Sequence, residues 1–209
     1  MLYKILQDGG RPHIGGGEWF LPHGKRPGKW MPTVEKISMC NAGYHLVDAD
    51  HIIDFLGYGY HIYEAEERGE CLTDTEKSCH QGVRLLRELQ WGEREARLFA
   101  CDCAERALDL WAQRGTVDPR SRAAVDVARR FANGEATADE ISAAESAAWS
   151  AAAWLAESAA AWSAWSAAES AAPSAASAAW SAAWSAARSA ERRWQNARLL
   201  DYLYGRVAK

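Results

Sequence analysis

Basic and aromatic side chains in the first third of the chain are the residues best suited to binding chemistry. A loop rich in proline and lysine, residues 23–32, carries four basic side chains beside Trp30. Basic groups of this kind can hold a phosphate or a carboxylate, while Trp30 or Tyr44 could stack on a base. The same loop could simply be a solvated cationic segment. The candidate anion-binding residues are His23, Lys25, Arg26, Lys29, Trp30, Tyr44 and His45.

Metal and catalytic chemistry find less support in the sequence. The chain has six histidines and five cysteines, but no C-x-x-C pair and no zinc-ligand spacing. The glycine-rich stretch from Gly9 to Gly17 is not followed by the G-K-[ST] of a P-loop. Cys40 and His45 could form a nucleophile–base pair, yet nothing in the sequence indicates that they face each other. We therefore expect no catalytic residue, no metal, no cofactor and no enzymatic activity.

Composition and charge limit the class of protein. The chain of 209 residues has a formal net charge of −4, which disfavours nucleic acid as a partner. It is 48% hydrophobic and 25% charged, which is typical of a soluble globular protein. The first ten residues lack the apolar run of a signal peptide, and an odd number of cysteines fits a reducing compartment. The sequence therefore predicts a cytoplasmic protein.

Short strands and one helix are predicted before residue 73, and together they indicate a small α+β unit with a mixed sheet. The expected helix covers residues 49–56 and is capped by Asp48, since its apolar residues share one face. The expected strands cover residues 2–6, 34–39, 44–47 and 60–65, where apolar and polar residues alternate.

From residue 73 onward the sequence predicts helices with recognisable start signals. Thr73 and Glu76 have the spacing of a capping box and predict a helix towards Gln90. A second helix is expected over residues 93–114. Asp118 and Pro119 predict the start of a third helix that ends at residues 133–134. A second capping box, at residues 137–140, predicts the start of a fourth helix.

Residues 136–190 consist almost entirely of alanine, serine and tryptophan. Because no glycine occurs between Gly134 and Gly205, and Pro173 is the only proline there, we favour one long helix kinked at Pro173. Two antiparallel helices that turn near Pro173 are the alternative. The glutamates at positions 145, 157 and 169 interrupt every apolar window long enough to span a membrane.

Tryptophans form a stripe on each half of this repeat when they are placed on a helix. They could pack against the preceding helices, or they could form an aromatic surface for a protein partner, since tryptophan is enriched at interface hot spots. The sequence leaves open whether the stripe is buried or exposed. The candidate partner-binding residues are Trp154, Trp162, Trp165, Trp180 and Trp184.

Both halves of the chain resemble known domains. The strings RLFACDCAERAL (residues 97–108), ARRFANGEAT (128–137) and RRWQNARLLDYL (192–203) resemble the helical immunity-protein domains of bacterial toxin–immunity systems. MCNAGYHL (39–46) and YEAEERGE (63–70) are similar to an uncharacterised domain found in phage and bacterial proteins. The resemblance implies a protein that occludes or sequesters a partner rather than an enzyme.

The sequence thus predicts the α+β class, with a small α+β domain over residues 1–72 and a helical domain over residues 73–209. The leading functional hypothesis is a non-enzymatic inhibitor, immunity-like or a phage counter-defence factor, that binds a host defence protein or a toxin. The first alternative is binding, by sequestration or turnover, of a nucleotide-like anion by residues 1–72. The second is a structural helical spacer that forms homo-oligomers.

Overall fold

The computed structural model describes residues 1–58, 61–113, 115–144 and 174–207, with the backbone alone for residues 57, 58, 111 and 174–188. The chain divides into two compact units. The first contains Met1–Gly92 and Arg193–Lys209, and the second contains Glu93–Arg192. These units differ from the predicted domains 1–72 and 73–209, because residues 74–88 form a turn and a further strand of the sheet and because the C-terminal segment belongs to the first unit.

Four antiparallel strands form a closed barrel in the first unit. They are β1 (Leu2–Leu6), β2 (Tyr44–Asp48), β3 (His61–Thr73) and β4 (Ser78–Glu88). Strand β1 pairs with β2 and β3, and β4 also pairs with both of these strands. Helices make up most of the described part of the second unit, so the predicted α+β class is confirmed. The predicted mixed sheet is wrong, because all the pairs among these four strands are antiparallel.

An apolar cluster fills the inside of the barrel. Leu2 and Leu6 contribute to it from β1. Because side chains alternate along a strand, Lys4 lies on the same face of β1 as these two leucines. The buried members of the cluster are Leu6, Trp19, Met31, Leu46, Tyr63, Ala65, Val83 and Leu85. Trp19 and Met31 come from the long segment between β1 and β2, which therefore completes the core.

Residues 28–34 run along the edge of β4 beyond the part that β2 covers. The amides of Gly28, Met31 and Val34 donate to the carbonyl oxygens of Leu85, Val83 and Gln81 at 2.8, 2.8 and 2.9 Å. The predicted strand over residues 34–39 is wrong, because a tight turn replaces it: the Ser38 amide donates to the Ala42 carbonyl at 2.8 Å. Pro32, in residues 28–34, lacks the amide that a continuous ladder needs.

The predicted helix from Thr73 towards Gln90 is also wrong, since these residues form a hairpin. Thr73 at the end of β3 pairs with Ser78 at the start of β4. Asp74 Oδ1 accepts from the Thr75 amide at 2.7 Å, and the Asp74 amide donates to the Lys77 carbonyl at 2.9 Å. The same polar residues that suggest a helix cap also suit a turn.

The helix predicted over residues 49–56 begins three residues further along the chain and is more tightly wound than an α-helix. It is a 3-10 helix, Ile52–Tyr58. Asp48 does cap the preceding turn, because its Oδ1 accepts from the amides of Asp50 and His51 at 3.0 and 3.1 Å. Strand β1 packs against this 3-10 helix, and Ile52 is fully buried.

The C-terminal part of the chain completes the first unit. Leu199 and Leu203 are buried, and the Leu203 carbonyl accepts from the Gln90 amide at 3.3 Å. The side-chain amide of Asn196 donates to the Asp50 carbonyl. The sequence pattern places this segment in the helical domain. It belongs to the barrel unit in the structure, because its leucines are buried there.

The second unit is helical. Its elements are α1 (Glu93–Ala112), α2 (Pro119–Ala132), α3 (residues 138–144) and the first part of α4 (Ser174–Leu203). The start of α2 is confirmed, since the Asp118 side chain accepts from the Arg120 amide at 2.8 Å. The choice between a kink and a hairpin at Pro173 lies outside the described residues. None of the described helices is both long and apolar enough to cross a membrane.

Candidate ligand-binding cleft

A cleft of about 470 Å³ opens in the barrel unit. Strands β1 and β2 form one wall, and the loop around residues 12–16 forms another. The turn before β2 brings in Cys40, and the hairpin between β3 and β4 brings in Lys77. Residues far apart in sequence therefore meet here because the barrel closes.

The charged side chains that line this cleft are those of two lysines, Lys4 and Lys77. Its ionisable nitrogen groups are those of Lys4, His13, His45 and Lys77, and no aspartate or glutamate lines it. Within the part of the chain that the structure describes, neither lysine forms an ion pair with a carboxylate. A chain with a net charge of −4 thus carries a local concentration of positive charge in its cleft.

Lys4 is half-buried at the base of this cleft. Its Nζ donates to the His45 carbonyl at 3.2 Å and lies 4.7 Å from the centre of the Trp19 ring. Burial lowers the pKa of the Lys4 ammonium from 10.5 to about 8, since the charged form is poorly solvated there. The amine is therefore much closer to neutrality than an exposed lysine.

The His45 ring contacts Cys40 through the backbone amide of Cys40. The Cys40 amide donates to His45 Nε2 at 3.0 Å, and Cys40 has a positive φ of 61°. Burial lowers the pKa of His45, and the charges of Lys4, Lys77 and His80 lower it further. A neutral His45 whose Nε2 accepts this bond holds the turn in place, which is a positioning role.

Aromatic side chains form the apolar side of the cleft. The rings of Trp19 and Tyr44 meet edge to face, with their centres 5.5 Å apart. The Tyr44 hydroxyl donates to the Pro32 carbonyl at 2.8 Å, so the ring has a fixed orientation. Trp19 is only 7% exposed. Ring edges and faces next to lysines suit a ligand that is both aromatic and anionic.

Of the predicted anion-binding residues, only Tyr44 and His45 line this cleft. His23 and Arg26 face each other across a small turn, with backbone hydrogen bonds of 3.0 and 3.1 Å. Trp30 lies between two guanidinium groups, 4.3 Å from that of Arg68 and 4.9 Å from that of Arg84. Lys25 and Lys29 are exposed. The structure does not bring these five residues into the cleft.

Sequence reasoning missed Lys4, Trp19 and Lys77. A signal for Lys4 was present, since a lysine that alternates with leucines in LYKIL must lie on the apolar face of the strand. Lys77 had no such signal, because its position depends on the hairpin that was predicted as a helix.

The predicted partner surface lies outside the part of the chain whose side chains the structure describes. Trp154, Trp162 and Trp165 lie outside the described residues. Trp180 and Trp184 lie on α4, but their side chains are outside the description too. A protein partner and self-association therefore stay predictions.

Among the residues that the structure describes, no group of three or more His, Cys, Asp or Glu side chains is placed to hold a metal ion. Comparison of the chain with protein-family models, curated proteins and solved structures finds no match.

Proposed function

We propose that the barrel unit binds a small organic anion that carries an aromatic ring, and that the protein captures this ligand without converting it. The observation that carries the proposal is the charge of the cleft. Lys4 and Lys77 supply its positive charge, and no carboxylate is among the lining residues. In a chain whose net charge is −4, such a lining selects for anions.

The two lysines favour an anion for an energetic reason. A lysine ammonium that is removed from water without a counter-ion loses solvation and gains no ion pair. Lys4 is in this situation, as its low pKa of about 8 indicates. A bound phosphate or carboxylate would supply the missing negative charge, so binding would relieve a cost that the free protein carries.

The apolar wall supports an aromatic group on the same ligand. Tyr44 is half-buried and its hydroxyl is held by Pro32, so the ring can receive a planar group without first losing conformational freedom. Ile14, at the rim of the cleft, is 76% exposed and offers further apolar area. Nucleotides combine a planar base with phosphate, and they are the first class of ligand to test.

The hydrogen bonding and the protonation of His45, a residue that could act in catalysis, support capture of the ligand rather than turnover. The lone pair of His45 Nε2 already accepts the Cys40 amide. The low pKa of His45 keeps its ring neutral, so it would not serve as an acid. A cytoplasmic location belongs to the same proposal, because all five cysteines are free thiols.

The proposal is tested by calorimetric titration of the full chain with AMP, adenosine and inorganic phosphate. We expect AMP to bind, and both adenosine and phosphate to bind at least about tenfold more weakly, a difference of ~1.4 kcal/mol. Raising the salt concentration should weaken AMP binding, since salt screens the two lysines. Equal affinity for adenosine and AMP would contradict the proposal.

Two variants with the same change of charge separate the cleft from the surface. Lys77→Gln removes a cation from the cleft and should weaken AMP binding about tenfold. Lys25→Gln removes a cation from an exposed loop outside it and should leave the affinity unchanged. If no aromatic anion among a panel of nucleotides and aromatic carboxylates binds the full chain, the proposed function is wrong.

A further inference from the structure

Lys4 combines two features that an ordinary structural lysine lacks. Its aliphatic chain lies on the inner face of β1, between Leu2 and Leu6, while its amine reaches the cleft. Its Nζ makes one hydrogen bond in the described structure, to the His45 carbonyl at 3.2 Å. The Trp19 ring lies 4.7 Å from the amine, and Lys4 is one of the residues that line the cleft.

The His45 carbonyl and the Trp19 ring favour the charged ammonium, but neither of them carries a negative charge. In the described part of the chain no carboxylate pairs with Lys4, and the groups that share its surroundings are the His45 ring on β2 and the Lys77 ammonium on the hairpin. Its pKa of about 8 follows from burial. At pH 7.4 about one fifth of the amines would be neutral, compared with about one in a thousand for an ordinary lysine.

An amine that is partly neutral and belongs to a residue lining a cleft can act as a nucleophile towards carbonyl carbon. We propose that Lys4 is a covalent attachment site for an aromatic anion that carries an aldehyde or ketone, which it captures reversibly as an imine. This inference rests on the proposed function, since the cationic cleft must first hold the anionic ligand. It adds the chemical class of the ligand and the atom that binds it.

The reaction needs no oxidant or other co-reactant. The Nζ lone pair attacks the carbonyl carbon, the C=O π electrons move to oxygen, and a proton passes from nitrogen to that oxygen. The resulting carbinolamine loses water as the C=N bond forms. One amine and one carbonyl therefore give one imine and one water.

The probe for this chemistry is pyridoxal 5′-phosphate, an aromatic aldehyde with a phosphate group. The full chain is incubated with the probe, reduced with borohydride, digested and mapped by mass spectrometry. We expect Lys4 to be modified at least tenfold faster than the exposed Lys25 and Lys29, with a rate that rises around pH 8. Modification of all lysines at similar rates, or of the exposed ones alone, would overturn the inference.

Variants and a second probe distinguish this inference from the proposed function. Lys4→Arg should abolish the selective modification, Lys77→Gln should slow it about tenfold, and Lys25→Gln should leave it unchanged. AMP should protect Lys4 if both hypotheses hold. Binding of AMP together with an unreactive Lys4 would overturn only the imine. Equal rates with pyridoxal and its phosphate, together with no AMP binding, would overturn the anion cleft and with it this inference.

Discussion

The Tyr204 hydroxyl donates a 2.6 Å hydrogen bond to Oε1 of Glu64, a carboxylate on β3 that is 5% exposed. Arg87 on β4 donates to both oxygens of the same carboxylate, at 2.6 and 2.8 Å. The hydroxyl of Tyr3 lies 3.1 Å from that of Tyr204. A residue near the C-terminus is thereby joined to the barrel through a buried charge.

Replacing Tyr204 by phenylalanine removes one donor from this carboxylate. Since a buried charged acceptor loses a partner, we expect Tyr204→Phe to lower the free energy of unfolding by ~1–2 kcal/mol in urea denaturation. Tyr3→Phe, which removes only the 3.1 Å contact between hydroxyls, should cost less. Equal losses of unfolding free energy in the two variants would show that the hydrogen bond from Tyr204 does not stabilise the Glu64 carboxylate.

Glu64 should also give the protein a dependence on acidic pH. The bond from Arg87, and then that from Tyr204, lowers the pKa of Glu64 below 4.5 in the folded state. Its contribution is therefore present above about pH 4.5 and is lost as the pH falls through the folded pKa. We expect melting temperatures of the wild type and Glu64→Gln to converge between pH 4.5 and pH 3. A constant difference over this range would contradict the pKa assignment.

The contribution of His61 to stability should depend on pH in the opposite direction, and decrease as the pH rises. Its Nδ1 lies 2.6 Å from Glu88 and its Nε2 lies 2.9 Å from Asp8, and these bonds raise the pKa of His61 above 6.5. The stabilisation is complete below about pH 6.5 and is lost as the pH rises through the folded pKa. Because 35% of the side chain is exposed, we expect a loss below ~1 kcal/mol. Thermal melts at pH 5.5 and 8.5 measure it.

The control for His61 is a histidine in an exposed turn. His61→Gln should reduce the difference in stability between pH 5.5 and pH 8.5, whereas His23→Gln should leave it as in the wild type. An unchanged pH dependence in His61→Gln would mean that the two carboxylates do not favour its protonation.

A side chain at position 28 should destabilise the folded protein. A Cβ at this position would collide with the carbonyl group of Phe20, which is backbone and cannot rotate away. We expect Gly28→Ala to lower the free energy of unfolding by ~1–3 kcal/mol, as in overpacked sites. Gly16→Ala is the matched control, because a Cβ there meets nothing within 4 Å. Similar denaturation midpoints for both variants would contradict the close approach of residues 20 and 28.

The capping box at the start of α3 should stabilise the helical unit. The Thr137 amide donates to Glu140 Oε2 at 2.8 Å, and the Glu140 amide donates to Thr137 Oγ1 at 3.2 Å. Thr137→Ala should cost ~1 kcal/mol, measured by the helical dichroism signal during denaturation. Thr137→Ser keeps the hydroxyl and should have little effect. Loss of stability in the serine variant alone would contradict this interpretation.

The sequence predicts those helix starts and strands that are determined by residues close together in the chain. The alternation in LYKIL indicates β1, and Asp118 with Pro119 indicates the start of α2. The capping box at residues 137–140 is confirmed by both of its hydrogen bonds. In each case the residues that produce the signal also make the contact, so no distant partner is needed.

Tertiary pairing decided the hairpin between β3 and β4 and the path of residues 28–34. Thr73 and Glu76 have the spacing of a helix cap, but β3 pairs with β4 at nine positions, and this pairing outweighs the local preference. Residues 28–34 have no strand periodicity of their own. They are ordered because β4 leaves carbonyl groups at its edge, and residue types do not reveal such an edge.

For the cleft, the sequence determined which side chains carry charge and rings, and the fold decided which of them meet. Lys25, Arg26 and Lys29 are neighbours in sequence, yet they remain on the surface. Lys4 and Lys77 are separated by more than seventy residues, and closure of the barrel brings both into one cleft without a carboxylate. Burial also lowers the pKa of Lys4, and burial is a property of the packed structure alone.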